Sequence, residues 1–101
     1  MSYTTFSIAS PGPAYNGIVF GSPEWTALIE RQFAILAEAN ATTIAGGFAA
    51  GIGKFINVNT YPDVESSVRV IARLAAEQLI NVESSGPFIP TEELFGLMAG
   101  Q

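Results

Sequence analysis

Two helix starts fix the layout of this chain. Ser22-Pro23-Glu24 offers a hydroxyl to cap free amides, a proline already set for the first turn, and an acid against the positive end of the helix dipole. Tyr61-Pro62-Asp63 supplies a strand break followed by an aspartate cap. Behind the first start, Trp25, Leu28, Ile29, Gln32, Phe33 and Leu36 recur at helical spacing, with Glu30, Arg31 and Glu38 largely outside that stripe. This helix is expected to end near Asn40. Behind the second, Val64, Val68, Ile71, Leu74, Ala75 and Leu79 form the stripe. Glu65 with Arg69 and Arg73 with Glu77 stand four residues apart and mark its wet side, each pair contributing about 0.2 to 0.5 kcal/mol.

Around these helices the pattern changes to a period of two. From Tyr3 to Ala9, Thr4, Phe6 and Ile8 alternate with Tyr3, Thr5 and Ser7, and the greasier face with Phe6 and Ile8 is expected to meet Leu28 and Ile29. Thr42 to Ala45 and Lys54 to Asn59 read as a hairpin whose turn is bracketed by Gly46-Gly47 and Gly51-Ile52-Gly53. Ile80 to Ser85 is a last strand, stopped by Gly86-Pro87. Phe88-Ile89-Pro90 is extended, and Thr91-Glu92-Glu93 caps a short amphipathic tail whose Leu94, Phe95, Leu97 and Met98 must dock somewhere. The order strand, helix, strand, strand, helix, strand predicts an α+β fold of the ferredoxin-like βαββαβ type, one domain over residues 1–101. The sheet is expected to be four-stranded and antiparallel, with two helices on one face.

Composition narrows the chemistry. There is no cysteine and no histidine, which removes disulfides, thiolate and imidazole metal sites, cysteine nucleophiles and imidazole-dependent triads. The acids form no dense loop of the kind calcium needs, so neither metal nor cofactor is expected. A net charge of −5, with only Arg31, Lys54, Arg69 and Arg73 on the positive side, argues against nucleic acid and anionic membrane as partners. The first six residues lack a basic start with an apolar run, so a cytoplasmic location is expected, and Ile44 to Gly53 is too short to span a membrane. Charged residues are 13% of the chain against about 25% in ordinary domains. So little charge predicts a homodimer, formed through a sheet face bearing Thr5, Ser7, Phe55, Asn57, Asn81 and Glu83.

Three features carry a family likeness: Gly53-Lys54-Phe55-Ile56-Asn57-Val58 entering the third strand, Pro62-Asp63 opening the second helix, and Pro87-Phe88-Ile89-Pro90-Thr91-Glu92-Glu93 after the last strand. Through them the run from Ala45 to Met98 resembles the small dimeric α+β barrel proteins of the GYD and muconolactone isomerase-like type. The resemblance implies two four-stranded sheets joined face to face across a two-fold axis. Its members include cofactor-free isomerases, monooxygenases and decarboxylases, so fold alone does not choose a function. Gly53-Lys54-Phe55 stands where those relatives carry Gly-Tyr-Asp, so no catalytic role passes from the missing aspartate.

The glycines before Lys54 glance at a phosphate loop, but Phe48 takes the first required glycine position and Phe55 the hydroxyl position. Glu83 shares a strand face with Asn81 and Ser85, where an interior would raise its pKa. The richest constellation is aromatic. Phe6, Ile8, Tyr15, Phe20, Trp25, Ile29, Phe48, Phe55 and Asn57 are the expected lining of a site for a small, largely apolar, lipid-like or fatty-acid-like molecule between sheet and helices. The Pro- and Gly-rich stretch Ser10 to Gly21 would gate it, with Trp25 at its mouth or wall, the competing role of Trp25 being plain core packing. Two rival readings are a cofactor-free isomerase or monooxygenase using Asn57, Tyr15 or Glu83 as polar groups, and a purely structural or regulatory dimer.

Overall fold

The structure is a computed structural model and describes residues 2–100. Its elements run β1 (Tyr3–Pro11), α1 (Pro23–Glu38), β2 (Thr42–Ala49), β3 (Lys54–Tyr61), α2 (Val64–Ala76), β4 (Ile80–Pro87) and α3 (Thr91–Ala99), with a 3-10 turn at Pro13–Tyr15. The four strands form one antiparallel sheet in the order β2-β3-β1-β4. That order is the ferredoxin-like arrangement the sequence predicts.

Both helix starts form as their residues dictate. Ser22 accepts a hydrogen bond from the Trp25 amide at 3.2 Å, and Asp63 accepts one from the Ser66 amide at 2.7 Å. The two helices also end alike. Asn40 (φ 57°) and Gln78 (φ 60°) adopt the left-handed conformation, and the amides of Ala41 and Leu79 reach back to the carbonyls of Leu36 and Leu74. The i,i+4 pairs expected on α2 are present, and the helices are further tied by Arg31 to Glu77 at 2.8 Å and by Arg73 to Glu38.

Strand lengths differ from expectation where glycine suggests a turn. β2 continues through Gly46 and Gly47 to Ala49, and the turn occupies residues 50–53. The reason lies opposite: Gly46 pairs with Asn57, whose Oδ1 would stand 2.2 Å from a Cβ at Gly46, so that glycine makes room for a side chain within a strand. The stretch 10–21 is also more ordered than a long loop. β1 runs on to Pro11, and the amides of Gly12 and Ala14 donate to the carbonyls of Leu79 and Gln78, both at 2.9 Å.

The faces of the sheet are the reverse of the expected assignment. Thr5, Ala9, Phe55, Asn59, Tyr61 and Ile80 are buried beneath α1 and α2, and the half-buried Ser7 and Asn57 share that side. Phe6 and Ile8 pair with Val58 and Ile56 on the opposite, open face, which also carries Asn81 and Glu83. The face expected to pair two protomers is therefore split between the two sides. Hydrogen bonding explains how so polar a surface is buried: Thr43 donates to Asn59 at 2.8 Å, and the phenol of Tyr15 donates to Gln32 Oε1. The helix stripes rotate correspondingly. Ile35 is the fully buried residue of α1 while Phe33 is exposed, and α2 buries Ser67, Val70 and Leu74 while Val64 and Val68 face out.

The apolar tail does not dock on its own chain: every described residue of α3 is exposed, including Leu94, Phe95, Leu97 and Met98. It stretches the molecule to 52 × 29 × 18 Å and gives a radius of gyration of 14.8 Å, against about 13 Å for a compact chain of this length.

Candidate functional site

Between α1 and the β2–β3 hairpin lies a cleft of about 150 Å³. α1 contributes Trp25, Ile29, Gln32, Phe33 and Leu36, and the strands contribute Thr43, Gly46, Phe48, Phe55 and Asn57. Helical spacing turns the first set toward the sheet, and β pairing places Thr43, Gly46 and Phe48 opposite Asn59, Asn57 and Phe55 on one face. A smaller hollow of about 40 Å³ continues inward past Gln32, Asn57, Asn59 and Thr5. A wider one of about 360 Å³ opens outward between Tyr15, Phe20, Trp25 and Phe48.

Five aromatic rings frame this space. Phe20 lies 4.7 Å from Trp25 and 5.3 Å from Phe48, Phe48 lies 5.0 Å from Phe55, and Tyr15 lies 5.9 Å from Phe55. The interplanar angles run from 44° to 82°, so the rings meet tilted or edge to face, as their quadrupoles favour. Phe20 is the exposed member of the set, on a turn between Gly17 (φ 77°) and Gly21 (φ 78°). Backbone bonds pin Gly12 and Ala14, in the first half of the expected gate, to the end of α2.

The structure thus brings together seven of the nine residues singled out in the sequence. Trp25, Ile29, Phe48, Phe55 and Asn57 line the cleft, and Tyr15 and Phe20 its mouth. Phe6 and Ile8 belong to the open face of the sheet and take no part in it. Sequence reasoning missed Gln32 as a polar wall, Thr43, and Gly46. Gly46 reads as a turn residue in sequence, and its meaning required the register with Asn57.

Glu83 also stands elsewhere than expected. It sits on the open face, accepting from Lys54 and Ser10, and those contacts hold its carboxyl below the usual carboxylate range rather than above it. Within the cleft and its two extensions the only ionisable side chains are Tyr15 and Tyr61. Burial pushes Tyr15 up to about 12 and raises Tyr61 as well, a hydrogen bond from Asn59 partly opposing the latter. The site therefore offers hydrogen bonds and aromatic surface, with no group that exchanges protons near neutrality.

Among the described residues no cluster of acids is arranged to hold a metal ion, and no helix is long and apolar enough to cross a membrane. No protein-family model matches the chain, and neither a curated protein nor a solved structure matches it significantly.

Proposed function

We propose that this protein is a homodimeric binder of a small, largely apolar organic molecule, held in the cleft between α1 and the β2–β3 hairpin. The observation that carries the reading is the cleft itself: about 150 Å³, aromatic on its walls and neutral throughout. An apolar cavity of roughly that volume accommodates a benzene ring. Binding is favoured over an isomerase or monooxygenase role because the cleft holds no acid or base that titrates near neutral pH. The strand order supports the likeness to dimeric α+β barrels at the level of topology.

Pairing through the open face of the sheet is supported by that face's anatomy. Phe6, Ile8, Ile56 and Val58 form an apolar centre. Their neighbours on the edge strands are small, Ala45 and Gly47 on one side and Ser84 and Gly86 on the other, which lets a second sheet approach. Thr4 with Thr60 closes one end and Lys54 with Glu83 the other, giving the apolar core and polar rim typical of interfaces.

The binding test uses the single tryptophan as an energy donor. Titration with the uncharged dye N-phenylnaphthylamine is expected to give saturable transfer from Trp25 at one dye per chain. Transfer that never saturates, or none, rejects the cleft as a binding site.

A further inference from the structure

We propose that the cleft selects an uncharged, ring-sized molecule carrying a carbonyl-type hydrogen-bond acceptor, an inference that rests on the binding function proposed above. Charge is excluded first. All four cations of the chain are already in ion pairs, with Glu77, Glu83, Glu65 and Glu38, and none of them lines the cleft, its inner hollow or its mouth. No carboxylate lines them either. A charged ligand head would therefore be taken out of water with no partner, which is costly for either sign.

Beside the hydroxyls of Thr43, Thr5 and Ser7, the polar groups that remain are amides, and those of Gln32 and Asn59 have their acceptors in use. Gln32 Oε1 accepts from the Tyr15 phenol, and Asn59 Oδ1 accepts from Thr43 at 2.8 Å. Asn57 Oδ1 is turned over the backbone of Gly46. Gln32, with its oxygen occupied, has N–H groups left to give, while Asn59 already gives one to Tyr61. The cleft thus presents donors at its inner end and aromatic rings at its outer end, a complement to a neutral acceptor attached to a ring. The volume of the cleft admits one ring, and the mouth between Phe20 and Trp25 leaves space for substituents beyond it.

Four single-ring probes of similar size separate the possibilities: acetophenone, ethylbenzene, benzoate and benzylammonium, each titrated into the isotope-labelled protein and followed by NMR. Acetophenone is expected to shift the side-chain N–H₂ signals of Gln32 and Asn57 and the Trp25 indole signal. It should bind about fivefold tighter than ethylbenzene, the worth of one hydrogen bond, and at least about tenfold tighter than either ion. Asn57→Leu should narrow the gap between acetophenone and ethylbenzene without weakening ethylbenzene. Benzoate or benzylammonium binding as tightly as acetophenone overturns the neutral-acceptor inference while leaving the cleft a binding site. Equal affinity for acetophenone and ethylbenzene overturns the acceptor preference in the same way. If none of the four moves a cleft signal, both the inference and the proposed function fall.

Discussion

A Cβ on Gly12 would stand 2.3 Å from the carbonyl oxygen of Gln78 and 2.8 Å from the amide nitrogen of Ile80, both of them backbone atoms that cannot turn aside. Gly12 also donates to Leu79, so relieving the clash would break the contact that pins β1 to the end of α2. Gly12→Ala is expected to cost about 3 kcal/mol in urea unfolding, whereas Gly47→Ala, which meets nothing within 4 Å, should stay within about 0.5 kcal/mol of the parent. Nothing in the sequence separates these two glycines. The phenols give a second residue-scale expectation. Burial favours their neutral form in the folded chain, so this stabilisation is whole below the unfolded value of 10.0 and is lost as pH rises toward about 12. Stability measured by thermal melting should fall through that window, and Tyr15→Phe should lessen the fall.

Among the elements, the helices were the most legible because their start signals are local: Ser22 and Asp63 act on amides only three residues away. Strand alternation was legible too, but alternation distinguishes two faces without saying which is inside. The greasier face of β1, with Phe6 and Ile8, was the natural choice for the core. The chain instead buries Thr5 and Asn59, the latter made tolerable by a hydrogen bond from a residue distant in sequence, Thr43. Such partners are set by register, which no single strand reveals. Helix ends offer a test of local logic. Gln78 holds a left-handed conformation that glycine adopts without a Cβ penalty, so Gln78→Gly should stabilise α2 by roughly 1 kcal/mol, read as a higher urea midpoint at unchanged slope.

At the scale of the whole molecule, the proposed self-association turns on the open sheet face, with Phe6, Ile8, Ile56 and Val58 at its centre. In the proposed dimer a lysine at the centre of that face would meet its own copy across the two-fold axis. Ile56→Lys is expected to leave a folded monomer in sedimentation, while Val68→Lys, on the helix side, should sediment like the parent. The sheet order adds a liability. β2 is an edge strand, and the fifteen residues from Ala39 to Gly53 around it contain neither charge nor proline. Edges of this kind are the templates on which chains stack into fibrils, and the protection that charge gives β4 at Glu83 is missing here. What relief exists is conformational: a bulge falls between Thr43 and Ala45, and two glycines weaken the strand. On prolonged agitation the protein should seed thioflavin-positive aggregates, and Ile44→Lys should delay them. The glycine that clears space for Asn57 would then also help to keep the chain in solution.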